Sequence, residues 1–487
     1  MKIFLIQPSG LAKFNVPPLG LRLLATVLKK NNYDNIYDID SNKGDDPYKI
    51  NYCGDKILVG LSVTFMTIKE ANKLAEHIKK INNKAIVVFG GPHATLVPEE
   101  SINNSYVDMV VLGEGEYTFL EIANAIIKGN NFRNIEGLWY KINGEIIRNE
   151  KRAFLEDLNI LPIPDRIFFN DKLYHQSLNR KKITWHLISS QSCPFNCKMC
   201  QPALRNIAGP YRQRSVDNVI KEIQYLKDKF NTYRINFCDN DMGVNKNWLL
   251  NLCEITKKIT DLEMSCCGRA NLLDYDMLKN MKEGNFHYIS YGAESGNDRV
   301  LKEIMNKKTT VQQVIDFANN CFKLDIVCNA FWMLANPGET IQEMKDTIHL
   351  ASELPTFYCH FHIATPNPGT QYYLDAKSEG YLNMKTWNDV DNRETPTIIK
   401  QNVTIDDIIA MDEYLINTMI KKGWRYWYNG HTLSFINTRL FSKKMPVTVF
   451  GNEVKGFLSD FKSYHLNNIY LGLKNILGYD KIGYRKK

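Results

Sequence analysis

The sequence predicts an α/β protein in three parts. A Rossmann-like, doubly wound amino-terminal domain precedes a partial (β/α)6 TIM-type barrel, and a mostly helical carboxyl-terminal region follows. Short apolar runs alternate with helical patterns over the first 130 residues. The same alternation restarts near residue 183 and yields six strand–helix repeats. A chain of 487 residues is also too long for a single hydrophobic core.

In the first part, Lys2–Ile6, Ile57–Ser62, Ala85–Phe89 and Met109–Leu112 are rich in Ile and Val and read as buried strands. Between two of them, Ile68, Ala71, Leu74, Ile78 and Ile81 recur at helical spacing. Such alternation predicts a parallel sheet with ligands at the strand carboxyl ends. Residues 137–182 break the rhythm. Leu138–Ile147 around Asn143-Gly144 reads as a hairpin, and Leu161-Pro162-Ile163-Pro164 as an extended linker. The barrel strands are expected at Ile183–Ser189, Arg234–Cys238, Glu263–Cys267, Phe286–Gly292, Asp325–Leu334 and Tyr358–Ala364. Helical patterns such as Val216, Val219, Ile220, Ile223 and Leu226 separate them. The expected domains are therefore 1–136, 137–182 (hairpin and linker), 183–375 and 376–487.

With 44% hydrophobic and 23% charged residues, the composition is that of a soluble globular protein. No apolar run reaches the roughly 18 residues of a membrane span. The apolar start Ile3–Ile6 is too short for a signal peptide and lacks a cleavage site. A cytoplasmic location is expected, so the eleven cysteines read as thiols or metal ligands rather than a disulfide frame. The net charge of +8 is uneven: residues 421–487 hold 13 Lys plus Arg against 3 Asp plus Glu, leaving the rest slightly acidic.

Cys193-Pro194-Phe195-Asn196-Cys197-Lys198-Met199-Cys200 follows the first barrel strand directly. Three thiols in eight residues give no packing advantage at a strand end. A cubane iron–sulfur cluster normally takes four thiolates, so three leave one iron open to a substrate. The alternatives are unpaired thiols or a zinc loop, but zinc would want a fourth ligand that Gln201, Pro202 and Ala203 do not offer.

The C-x-x-x-C-x-x-C spacing after a first barrel strand resembles the radical SAM superfamily, whose members cleave S-adenosylmethionine (SAM) at a 4Fe-4S cluster. Downstream segments extend the resemblance over roughly 183–380. Tyr291-Gly292-Ala293-Glu294-Ser295-Gly296 resembles the ribose-contacting segment. Cys267-Gly268-Arg269-Ala270-Asn271 resembles the strand end whose Arg meets the methionine carboxylate. Asn336-Pro337-Gly338-Glu339-Thr340 resembles the loop beside the adenine, and Pro366-Asn367-Pro368-Gly369-Thr370 the closing turn. Two positions depart: Met199 stands where an aromatic residue is usual, and the second strand ends Phe237-Cys238-Asp239-Asn240-Asp241 instead of in Gly-Gly-Glu. The resemblance implies cluster ligation by Cys193, Cys197 and Cys200. It implies SAM contacts from Met199, Asp239, Arg269, Glu294 and Pro337.

Before such a barrel, the doubly wound domain resembles a cobalamin-binding domain. Ser62-Val63-Thr64, Gly90-Gly91-Pro92-His93 and Gly113-Glu114-Gly115-Glu116 stand at its strand ends. The implied cobalamin contacts are Ser62, Thr64, Gly90, Gly91, His93, Gly113 and Glu114. The D-x-H-x-x-G motif that supplies a lower axial histidine elsewhere is absent, and only His77 and His93 occur in this part. A domain that kept the fold without the cofactor is the alternative. Cys53 is its sole cysteine, which argues against a methylthiotransferase, and no cysteine follows Cys359 to hold a carboxyl-terminal auxiliary cluster. Cys238, Cys266, Cys267, Cys328 and Cys359 read mostly as small buried hydrophobes.

In the tail, Trp424, Tyr426, Trp427 and Tyr428 interleave with Arg425, and Leu466, Ile469, Tyr470, Leu473, Ile476 and Leu477 mark an apolar helix face. A helix packed on the barrel is the plainer reading; an anionic surface, phosphate group or nucleic acid is the other. The whole predicts a cobalamin-dependent radical SAM C-methyltransferase. The alternatives are a cobalamin-linked cyclase, ring-contraction or rearrangement enzyme, and a non-catalytic sensor or scaffold. The resemblance implies a one-electron donor such as a flavodoxin or ferredoxin, with a small molecule, lipid or peptide as substrate.

Overall fold

The computed structural model describes residues 1–10, 16–166, 183–200, 209–382, 403–428 and 432–437. They form two compact units: 1–166 with 209–214, and the remainder.

The first unit is built on seven strands: β1 (Lys2–Gln7), β2 (Ile36–Asp40), β3 (Ile57–Ser62), β4 (Ile86–Gly90), β5 (Met109–Val111), β6 (Leu138–Ile142) and β7 (Glu145–Arg148). Their order is β2-β1-β3-β4-β5-β6-β7; the first five are parallel and the last two add antiparallel. The order 2-1-3-4-5 is the flavodoxin-like one, which opens a crevice at the carboxyl ends where the winding reverses. Strand β3 is buried over Ile57–Leu61, as a strand covered on both faces must be. Helices Leu19–Lys30 and Glu116–Lys128 pack against one another in this unit. Gly60 is needed by close approach, since a Cβ there would lie 2.8 Å from the Phe119 ring.

The hairpin expected at 138–147 is present and lengthens this sheet. Strand β2 was not legible in the sequence, because two of its five residues, Asp38 and Asp40, are acidic. The fold makes them tolerable by burying Arg22 against both; its Nη2 lies 3.4 Å from Asp40 Oδ2.

The second unit carries β8 (Ile183–Leu187), β9 (Thr232–Phe237), β10 (Glu263–Gly268), β11 (Phe286–Glu294), β12 (Val327–Leu334) and β13 (Tyr358–Ile363). All six are parallel and paired in chain order. These are the six expected barrel strands. Period-two alternation divides their faces. On β11, Ile289, Tyr291 and Ala293 are at most 1% exposed and join the core formed with the surrounding helices, whereas Ser290, Gly292 and Glu294 lie on the inner face.

The carboxyl-terminal region contributes the helix Ile405–Lys421, opened by a Thr404–Asp407 capping box, and a strand pair. Strands β14 (Trp424–Tyr428) and β15 (Thr432–Asn437) are antiparallel, and β15 pairs with β13, covering what would otherwise be an open sheet edge. The aromatic run at 424–428 is thus strand, as the β propensity of Trp and Tyr favours. The helical pattern at 466–477 lies outside the described residues.

Candidate active site

The cysteine loop is anchored from beneath. Asp239, two residues past β9, is 3% exposed. Its carboxylate accepts the Ser189 backbone N–H at 3.1 Å, the Ser189 hydroxyl at 2.8 Å and the Ser190 hydroxyl. Burial raises its pKa while these donors oppose the rise. Ser192 then adopts a left-handed backbone, φ 70°, and turns the chain into Cys193. From the other side, the Lys198 N–H donates to Met305 O at 2.9 Å, Asn306 Nδ2 to Asn196 O at 2.9 Å, and the Tyr372 N–H to Lys198 O at 3.2 Å. Met305 and Asn306 follow a π-helical turn at Val300–Ile304, a form that recurs at functional sites. Met199 packs against the apolar cluster that contains Val300, Leu301, Met305 and Tyr372.

The three thiols lie within electrostatic range of one another. Cys197 is 7% exposed and the other two are half-buried. Burial, then the neighbouring Cys197 and Cys193, push the Cys200 thiol up to about 12; burial also raises Cys193. As free thiols Cys193 and Cys200 stay neutral, and holding them as thiolates takes a metal centre. Among the described residues no three His, Cys, Asp or Glu side chains converge on a single ion. One tetrahedral zinc with bonds of 2.3 Å would need sulfurs about 3.8 Å apart. A cubane spreads its ligands wider, and the donor set of three thiols with flanking cations suits it.

One of those cations follows a strand and the other pairs with a strand end. Arg269, just past β10, is 8% exposed. Its Nη1 lies 3.5 Å from Cys197 Sγ, its Nε 3.2 Å from Asn271 Oδ1, and its guanidinium 4.0 Å over the Phe195 ring. Nε is also 3.8 Å from Asp241 Oδ2, while Nη2 has no hydrogen-bond partner. At the end of β11 the ladder to β12 slips between Gly292 and Glu294, and Glu294 takes φ 65°. A bulge of this kind re-aims a side chain. Glu294 pairs with Lys307 Nζ at 2.9 Å, with side-chain exposures of 15% and 5%. Gly292 makes room: a Cβ there would overlap Glu294 Oε1 and lie 2.7 Å from Lys307 Nζ. Pro337 lines a cavity of about 290 Å³ together with Lys198, Arg299 and Tyr372. The loop behind it is tied down by hydrogen bonds: Glu339 Oε2 accepts Asn336 N–H at 2.9 Å and Tyr372 OH donates to Asn336 Oδ1 at 3.1 Å.

Sequence reasoning missed four residues here. Asp241 and Lys307 border the cysteine loop. His360 and His362 share the inner face of β13, where Phe331 stacks on His360 at 4.9 Å and Ser434 Oγ lies 3.1 Å from His360 Nδ1. Burial, then His362, pushes His360 down to about 3, and burial also lowers His362, so both rings are neutral. The signal was the alternation Cys359-His360-Phe361-His362, with the histidines on one face and the apolar residues on the other.

In the first unit, Ser62 and Gly90 are register partners at the ends of β3 and β4. Gly91 has φ 93°, and a Cβ on it would lie 3.1 Å from Val63 O; Val63 N donates to Gly90 O at 2.7 Å. Gly113 also has a positive φ of 74°, and its N–H donates to Thr95 Oγ1 at 3.0 Å. Only glycine suits these bends, and together they leave a floor of bare backbone at the strand ends. That floor suits a bulky ligand. Thr64 lies in the turn before the helix Ile68–Ile81, its N–H donating to Oγ1 of the N-cap Thr67 at 2.9 Å. His93 and Glu114 are committed inside the unit. His93 is 1% exposed and burial pushes it down to about 4; Glu114 accepts Leu155 N–H at 2.9 Å and pairs with Arg212 at 2.7 Å.

Comparison with known proteins follows the same division. The radical SAM superfamily profile matches residues 187–351, and the B12 binding domain profile matches residues 10–123. An uncharacterized methyltransferase of Pyrococcus horikoshii is 30% identical over 442 residues, covering 88% of this chain and 92% of that one. Cytidylyl-2-hydroxyethylphosphonate methyltransferase of Streptomyces wedmorensis is 23% identical over 443 residues, covering 78% and 82%. The radical S-adenosylmethionine methyltransferase TsrM of Kitasatospora setae, solved with cobalamin and a 4Fe-4S cluster bound, shares the fold. Its TM-score is 0.67 at 15% identity, over 99% of this chain and 96% of that one. With 30% identity sustained along nearly the full length of both it and a relative, the chain belongs to the radical SAM superfamily, in the branch whose barrel follows a B12-binding domain.

Proposed function

We propose that this chain is a cobalamin-dependent radical SAM C-methyltransferase acting on an unactivated carbon. The observation that carries it is the loop of Cys193, Cys197 and Cys200, three mutually interacting thiols with Arg269 Nη1 3.5 Å from the Cys197 sulfur. When bound, the reduced 4Fe-4S cluster supplies the electron that splits SAM into methionine and a 5′-deoxyadenosyl radical, and cobalamin supplies the methyl group.

The residues divide the remaining work. The three cysteines would hold the cluster and leave one corner for SAM. The unpaired Nη2 of Arg269 is available to the methionine carboxylate, and Glu294, oriented by Lys307, to the ribose hydroxyls. Pro337 would border the adenine. Asp239 acts beneath the loop as its anchor, and Met199 through packing, so both position the cluster loop rather than grip SAM with a polar group. In the first unit Ser62, Thr64, Gly90, Gly91 and Gly113 would receive cobalamin, with His93 and Glu114 bracing the strand ends. A flavodoxin or ferredoxin would deliver the electron. No helix among the described residues is long and apolar enough to cross a membrane, and a cytoplasmic setting is part of the proposal.

Anaerobic reconstitution with iron and sulfide, followed by dithionite and SAM, should give 5′-deoxyadenosine, and Cys197→Ala should lose both the brown chromophore and this product. With deuteromethyl-SAM and hydroxocobalamin, label should enter the substrate. Iron content unchanged in Cys197→Ala, or 5′-deoxyadenosine formed on the true substrate with no methylated product, would sink the assignment.

A further inference from the structure

The contact between Arg269 and Cys197 reaches past SAM. The guanidinium is 8% exposed, sits over Phe195 of the cysteine loop and points Nη1 at the sulfur, 3.5 Å away. Beside it Asp241, itself 3% exposed, accepts the Gly243 N–H at 3.0 Å on one oxygen and turns Oδ2 toward Arg269 Nε at 3.8 Å. A buried cation and a buried anion therefore stand beside the ligand sulfurs, with the cation on Cys197. We propose that Arg269 raises the reduction potential of the cluster through Cys197 and that Asp241 tempers the effect. The inference rests on the cluster reading above.

The charge balance gives the sign. A 4Fe-4S core of charge 2+ with three thiolates carries −1 overall, and −2 after it takes one electron from an external donor. A neighbouring positive charge, or a donor N–H on a ligand sulfur, favours the more negative reduced form. A carboxylate at the same place favours the oxidised form. Water is largely excluded at both side chains, so neither effect is screened as it would be at a surface. Because Nη1 faces sulfur while Nη2 is left over, the potential-setting contact does not depend on SAM.

The test is an EPR-monitored redox titration of the reconstituted full-length protein at pH 8, without SAM. Arg269→Met should make cluster reduction at least about tenfold less favourable, a fall of about 59 mV for one electron. Asp241→Asn should shift the midpoint upward, and Arg269→Lys should retain most of the wild-type value. Iron and sulfide content and the wild-type EPR signal report on cluster binding, so that reading is checked separately. If Arg269→Met takes up no cluster, Asp241→Asn decides alone: an upward shift supports the proposal and an unchanged midpoint overturns it. A normal midpoint in Arg269→Met with weakened SAM binding would assign the residue to SAM alone and overturn it too.

Discussion

Replacing Lys307 with Met tests how the end of β11 is held. Lys307 and Glu294 are 2.9 Å apart at 5% and 15% side-chain exposure, so the pair is nearly sealed from water. Removing the lysine leaves a carboxylate with little solvent and no compensating cation at that distance. Stranding one partner of a buried pair costs about 3–5 kcal/mol, whereas replacing both charges by neutral groups of similar volume is close to neutral. Lys307→Met should therefore lower barrel stability by about 3–5 kcal/mol. The double variant Lys307→Met with Glu294→Gln should recover most of that loss. Urea unfolding followed by tryptophan fluorescence is a suitable assay, because five of the chain's seven tryptophans, Trp185, Trp248, Trp332, Trp424 and Trp427, belong to this unit. A single variant within about 1 kcal/mol of wild type, or a double variant no better than the single, would refute the claim that this pair is buried and coupled.

Three further outcomes follow from the same geometry. Asp239→Ala strands the hydroxyls of Ser189 and Ser190 beneath the cysteine loop and should cost about 2–4 kcal/mol, with reduced iron uptake on reconstitution as the functional readout. Trp332, fully buried against the barrel helices, should cost about 3–5 kcal/mol when cut to Ala, read as a lower urea midpoint. His93 is held neutral, with its pKa pushed from 6.5 to about 4 by burial, so the unfolded chain binds the extra proton between those values. Stability should then fall as pH drops from 6.5 toward 4, by a total of about 3 kcal/mol, and the fall between pH 7 and pH 5, measured by urea unfolding and circular dichroism, should be smaller in His93→Gln.

Much of the architecture was readable because hydrophobic periodicity is a local property. The ten strands expected in the two sheets are all present, since runs such as Ile57–Leu61 and the alternation along 286–294 record which faces are buried. Strand β2 escaped because Asp38 and Asp40 break the apolar run, and only the burial of Arg22 from a helix earlier in the chain makes them acceptable there. The pairing of β15 with β13 escaped for a similar reason: an aromatic run states a preference for strand but not which edge it will cover.

The site divides in the same way. Sequence spacing determined the cysteine triplet, its place after the first barrel strand and the glycines at the amino-terminal strand ends, because each is set by neighbours within a few residues. Tertiary structure alone decided that Asp239 serves the loop from below, that His93 and Glu114 turn inward, and that Asp241, Lys307, His360 and His362 join the site. Those roles depend on which strand ends come together and on how much water they exclude, and burial and charge pairing between residues distant in the chain leave no periodic trace in it.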